Sequence, residues 1–158
     1  MFAAPGNINA SSGTVEFWIK PNWNGNNQVS NFILSWGSTG GMLMGKDSSP
    51  NWRMIANRFQ TELGVSTSAS SWQAGVWKHA AFTWNSQALC LYLNGLLVAQ
   101  QPLTASPPPI VAATFQIGSD GTNVIDAVID ELRISGHARS AAQIAADYAL
   151  AAAALGLP

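Results

Sequence analysis

Retaining glycoside hydrolysis needs two carboxyl groups about 5–5.5 Å apart, so the carboxylates are the first residues to weigh. The chain has three glutamates, Glu16, Glu62 and Glu131, each on a different segment. Asp126 and Asp130 fall on one face of a single predicted strand, but no local run places a Glu beside them at catalytic spacing. His79 and His137 are the only imidazoles. A Ser-His-Asp triad or a His-based metal site needs partners that no motif here supplies, so His79 reads as a strand residue with a local hydrogen bond. No catalytic residue is expected, and the chain is read as a non-enzyme.

Aromatic residues offer a different chemistry. Flat indole faces stack on sugar rings, and seven Trp in 158 residues invite that reading. Trp23, Trp52 and Trp72 lie in or beside polar stretches (Asn22 to Asn27, Ser48 to Asn51, Ser66 to Ser71), where an exposed ring with Asn neighbours could hold a glycan or a protein. These three are the candidate ligand-binding residues; Trp18, Trp77 and Trp84 read as packing. Cys90 stands alone, so no disulfide forms within the chain, and its apolar neighbours make it a small core or face residue.

The elements that must position these side chains are strands. Period-2 alternation with β-branched and aromatic enrichment recurs along the chain, broken by Gly, Asn, Ser and Pro clusters. In Thr14 to Lys20, Val15, Phe17 and Ile19 point one way and Thr14, Glu16, Trp18 and Lys20 the other. Further strands are predicted at Asn31 to Trp36, Gly41 to Gly45, Trp52 to Phe59, Glu62 to Ser66, Val76 to Trp84, Ala88 to Asn94, Leu96 to Gln100, Thr114 to Gly118 and Ala127 to Ser135. Asn94-Gly95 between two apolar runs signals a two-residue hairpin, because a type I′ turn needs positive φ at both central positions. Pro107-Pro108-Pro109 cannot occupy a central strand and marks a crossing between parts of the fold. Ser140 with Gln143 three residues on is a capping box, which predicts a helix to about Ala153, ending near Gly156, with Ile144, Tyr148 and Leu155 as its docking stripe. About ten strands and one helix give one domain: an all-β, two-sheet antiparallel sandwich over residues 13–136 with a C-terminal helix over 140–154.

Three passages resemble the laminin-G-like jelly-roll domains of the concanavalin A-like group. Gly13 to Pro21 (GTVEFWIKP) is similar to that family's early "GTISFWIKP" strand. Trp77 to Asn85 with Leu91 to Gly95 is similar to its "WHHVAFTWDG…LYVDG" hairpin, and Ile129 to Ile134 (IDELRI) to its closing "IDEVRIY" strand, after which Ser140 to Ile144 resembles "LSAAEI". The resemblance implies a jelly roll. Glucan-cleaving enzymes of the broad fold carry an E-x-D-x-x-E or E-x-D-x-E cluster, which this chain lacks. Relatives often hold Ca²⁺ through the Asp of the closing strand, which makes Asp130 a weak candidate ligand and calcium a candidate cofactor beside the expectation of none. Members also carry more chain ahead of the first motif, so either the first strand is trimmed here or a neighbouring chain covers its edge.

Composition narrows the partners. Charged residues are 9% of the chain against roughly 25% in ordinary soluble domains, and a surface of neutral polar and small residues is easily desolvated against other subunits. A net charge of −1 without basic runs speaks against nucleic acid, and no apolar run spans a membrane. The start at Met1 shows no secretion signal, so an extracellular or virion-surface location would be reached by another route. The expected function is a surface structural subunit of a larger assembly (a virion decoration, coat or tail-type protein) that also binds glycans. The alternative is a stand-alone carbohydrate-binding adhesion module.

Overall fold

A computed structural model of the chain describes residues 1–37, 41–56, 63–104 and 112–156, the side chain of Leu155 excepted. Eleven strands and one helix follow in order among them: β1 (Phe2–Ala3), β2 (Gly13–Pro21), β3 (Asn31–Trp36), β4 (Met42–Lys46), β5 (Asn51–Ala56), β6 (Leu63–Ser68), β7 (Lys78–Trp84), β8 (Ala88–Leu93), β9 (Leu96–Pro102), β10 (Thr114–Ile117), β11 (Ala127–Ser135) and α1 (Ala141–Leu155). One sheet has the order β1-β10-β3-β4-β5-β6 and the other β11-β2-β7-β8-β9, with every pairing antiparallel. The predicted two-sheet jelly roll with a C-terminal helix is the observed fold.

The alternation in β2 works as read. Val15, Phe17 and Ile19 enter the space between the sheets, where they meet Phe82 and Trp84 of β7, Leu89 and Leu91 of β8, and Met42, Met44, Trp52 and Met54 of the facing sheet. The opposite parity of β2 faces outward on the five-stranded sheet and lies beneath α1. Ile144 closes a small cluster there with Ala81 and Tyr92, while Tyr148 stacks on Trp18 at 5.7 Å between ring centres. Asn94 and Gly95 take φ of 48° and 77°, the left-handed values a type I′ turn requires, and the Gly95 turn lies against Tyr148.

The capping box forms: Ser140 Oγ accepts from the Gln143 N–H and Gln143 Oε1 from the Ser140 N–H. The helix runs to Leu155 and is capped by a left-handed Gly156, the residue near which its end was predicted. The N-terminal region holds a strand that alternation did not show. Phe2 and Ala3 pair with Phe115 and Thr114, so the sandwich takes in residues ahead of 13, with a strand of two residues there. Glu62, Pro107-Pro108-Pro109, the end of the predicted strand at Phe59 and the Leu155 side chain lie outside the described residues.

Candidate functional site

The three indoles offered as exposed platforms are inside the sandwich: Trp23 is 5%, Trp52 0% and Trp72 4% exposed. This corrects the expectation drawn from their polar flanks. Trp23 stacks on Trp72 with an interplanar angle of 5°, Trp72 packs on Trp52 at 4.7 Å, and Trp52 reaches Phe82 and Phe17. Their loops turn inward because the polar backbone is satisfied across loops rather than by water. The Gly25 N–H donates to the Trp72 carbonyl at 2.8 Å, and Lys46 Nζ donates to the carbonyls of Asn27, Val29 and Asp47 at 2.7, 3.0 and 3.1 Å. Lys46 is fully buried; burial lowers its pKa, with the Asp47 charge opposing.

The groove that the fold leaves open lies on the outer face of the five-stranded sheet, between α1 and strands β2 and β11. Register places Asp130 opposite Trp18 and Val128 opposite Lys20. Trp77, just ahead of β7, is half-buried with Lys20 Nζ 5.1 Å from its ring centre. Trp18, Trp77, Leu150, Ala151 and Ala154 supply apolar walls, and Asp130, Glu131, Arg133 and Asp147 a polar end, around about 260 Å³. A bulge between Asp130 and Arg133 shapes that end, with Glu131 at a left-handed φ of 52°, an uncommon conformation for a residue with a side chain. Asp130 Oδ1 accepts the Glu131 N–H at 2.8 Å, and among the described residues Asp130 has no ion-pair partner. A larger, more open cleft of about 720 Å³ runs along Ala4 to Ala10, Trp36 and Ile134, but no ionisable side chain lines it.

Under the helix, charges far apart in sequence meet. Glu16 Oε1 lies 3.0 Å from His79 Nε2, both buried, and Glu16 Oε2 accepts from Arg139 Nη1 at 2.7 Å. Asp147 accepts from Arg139 and, at 3.3 Å, from Arg133, while Glu131 pairs with Arg133 at 2.9 Å. The hydrogen bond from Arg139 holds the Asp147 carboxyl below the ordinary Asp range, with the charges of Arg139, Arg133 and His79 adding to it and burial opposing. His79 Nδ1 has no acceptor among the described residues, so the carboxylate–Nδ1 contact of a catalytic triad is not formed. The void beside Glu16 and His79 is about 10 Å³, room for one water at most and not for a sugar. The expected local hydrogen bond of His79 is thus made across to Glu16 of β2, and Arg139 ties that same carboxylate to Asp147 of the helix that walls the groove.

Calcium takes six to eight oxygens. Asp130 spends one of its two on the Glu131 N–H, Asp126 accepts from Asn22 Nδ2 at 2.8 Å, and Asp120 accepts the N–H groups of Thr122 and Asn123. Among the described residues no three His, Cys, Asp or Glu side chains gather as ligands.

Sequence reading assigned Trp77 to packing and missed Asp147 and Leu150 as groove residues. Parity carries the signal for Trp77: positions 77, 79 and 81 share the face opposite Phe82 and Trp84, the face toward α1. No local pattern marks Asp147 or Leu150, which reach the groove only through the docking angle of α1.

Fold and groove together define a two-sheet jelly-roll domain with a helix-walled aromatic groove on its outer sheet. The chain belongs to the concanavalin A-like lectin/glucanase superfamily, whose model matches residues 2–145. No curated protein sequence matches it. Among solved structures it is similar to the binding domain of botulinum neurotoxin serotype G, with a TM-score of 0.74 and 14% identity over 95% of this chain and 39% of that one. It is also similar to the binding domain of botulinum neurotoxin DC, solved in complex with rat synaptotagmin II (TM-score 0.70, 17% identity, 89% and 36% covered). A third similar structure is of botulinum neurotoxin type C, whose cell entry is described as dependent on interaction with two ganglioside molecules (0.68, 17%, 89% and 36%). The chain spans 36% to 39% of the length of these three, and at such identities the likeness is one of fold. No helix among the described residues is long and apolar enough to cross a membrane.

Proposed function

We propose that the chain is a non-enzymatic receptor-binding module that takes a glycan in the groove between α1 and strands β2 and β11. The carrying observation is the half-buried Trp77 with Lys20 over its ring, at the mouth of an apolar-walled groove whose far end holds the ion-pair-free Asp130. A sugar presents an apolar ring face and a rim of hydroxyls. Trp77 suits the first, and the carboxylate of Asp130 and the ammonium of Lys20 suit the second through charge-assisted hydrogen bonds. Structural neighbours described as interacting with gangliosides and with synaptotagmin support a receptor-binding role on this fold. Of the three carboxylates at the polar end of the groove, Glu131 and Asp147 are tied to Arg133 and Arg139, which supports binding without hydrolysis, and the reading needs no metal. An extracellular place of work belongs to this reading; the virion-subunit expectation, drawn from low charge, an Ala-rich tail and a start without a visible secretion signal, gains no support from the structural neighbours.

A glycan array that includes ganglioside oligosaccharides, followed by calorimetric titration, tests the proposal. Trp77→Ala and Asp130→Asn are expected to weaken a selected glycan at least about tenfold, roughly 1.4 kcal/mol, with the melting temperature preserved. Equal affinity in both variants, or no glycan bound above background, refutes it.

A further inference from the structure

A regular strand sends successive side chains to opposite faces, so Asp130 and Glu131 of β11 should diverge. The bulge prevents this. Between Asp130 and Arg133 β11 has two residues where β2 has one, and Glu131 takes up the extra length at its left-handed φ of 52°. Asp130, Glu131 and Arg133 consequently all line the groove, joined from α1 by Asp147. Uncommon backbone of this kind is held in place by its surroundings and collects at ligand sites.

The ionic side chains at this end are mostly acceptors. Arg133 is the one cation among the lining residues, and it already faces two carboxylates: Nη2 donates to Glu131 and Nη1 to Asp147. Arg139 reaches Asp147 from beneath the helix but is shared with Glu16. Lys20 lies over the Trp77 ring at the mouth of the groove. Among the described residues no cation pairs with Asp130, whose Oδ1 accepts only the Glu131 N–H.

On the reading of the groove as a glycan site, we infer that the sugar it takes is an amino sugar with a free, protonated amine, held at Asp130. An ammonium carries three N–H donors and no acceptor, the complement of an end lined by three carboxylates. A hydrogen bond between charged partners is also about twice as strong as a neutral one. An N-acetyl group in the same place brings a carbonyl acceptor against acceptors, and a sialic acid brings a carboxylate against Asp130, where no unpaired cation offsets the repulsion. The apolar walls take the ring: Trp77 and the 75% exposed Leu150 cover its C–H face, and Lys20 meets hydroxyls at the mouth. At about 260 Å³ the groove is smaller than the roughly 300–1,000 Å³ of a drug-sized site, so it holds one ring and a longer chain runs out of it. A lysine side chain offers the same ammonium on a slender stem that leaves these walls uncovered.

Calorimetric titration of the intact chain with the glucosamine disaccharide, its di-N-acetyl form and 3′-sialyllactose tests this at about pH 6, where an amine is protonated and an Asp ionised. The wild type is expected to bind the amine form at least about tenfold more tightly than the N-acetyl form, and sialyllactose no better than the latter. In Asp130→Asn, which keeps an Oδ1 acceptor for the Glu131 N–H, that preference is expected to fall to within about twofold with unchanged circular dichroism. Equal affinity for the amine and N-acetyl forms, or a preference that Asp130→Asn leaves intact, overturns the assignment. If a neutral or sialylated glycan binds instead and Trp77→Ala removes it, the groove reading outlives that failure; if Trp77→Ala alters the binding of no glycan, the groove reading falls too. N-acetyl-lysine amide that competes as strongly as the disaccharide overturns the sugar and makes a protein side chain the occupant.

Discussion

Replacing Glu16 with Ala removes the acceptor that both His79 and Arg139 use beneath α1. The Glu16 side chain is 4% exposed, so its charge is held by these partners and not by water. Removing one partner of a buried ion pair typically costs 3–5 kcal/mol, since the remaining charge is left unmatched in a medium of low polarity. Here Arg139 keeps Asp147 and is partly exposed, which places the cost near the lower end, about 3 kcal/mol. For a chain of this size, each kcal/mol lowers the melting temperature by roughly 2–4 °C, so a fall of about 6–12 °C is expected in a calorimetric or circular-dichroism melt. Glu16→Met combined with His79→Leu leaves the Arg139–Asp147 pair in place and replaces the other with apolar groups, and should recover most of the loss. A drop below about 2 °C for Glu16→Ala, or a double variant no more stable than the single one, refutes the view that this cluster anchors the helix.

Two further outcomes follow from the same kind of bookkeeping. Lys46→Met leaves the buried carbonyls of Asn27, Val29 and Asp47 without their shared donor and should cost about 2–4 kcal/mol, visible as a lower urea midpoint with unchanged slope; an unaltered midpoint would show that the ammonium contributes nothing net. Asp147 titrates below its unfolded value because Arg139 and Arg133 favour the carboxylate. Its contribution is therefore present above the unfolded value of about 4 and is lost as pH falls through the lower folded value. The stability gap between wild type and Asp147→Asn should accordingly close in acid, and a gap constant from pH 7 to pH 2 contradicts the assignment.

How much of this was legible in the sequence depends on the range over which each feature is decided. The alternation in Gly13–Pro21, the Asn94-Gly95 turn and the Ser140–Gln143 capping box are set by residues within a few positions of one another, and each appears where it was read. So is the parity that turns Trp77 toward α1, although its type suggested packing. The two-residue β1 was not legible, because Phe2 and Ala3 become a strand only by pairing with β10, more than a hundred residues away. Trp23, Trp52 and Trp72 show the same limit in reverse. Their polar neighbours are surface-like, yet the backbone contacts from Gly25 to Trp72 and from Lys46 to Asn27 and Val29 close the loops and leave the indoles only the space between the sheets. Glu16, His79 and Arg139 stand 63 and 123 positions apart, and only the packing of β7 and α1 on β2 brings their charges within hydrogen-bond reach. By itself the sequence determined the strands, the helix and the superfamily, since these rest on local periodicity and short motifs. The tertiary structure alone decided which aromatic ring meets solvent and which charges share a site, because burial and ion pairing depend on neighbours that the chain brings together only when both sheets and the helix are in place.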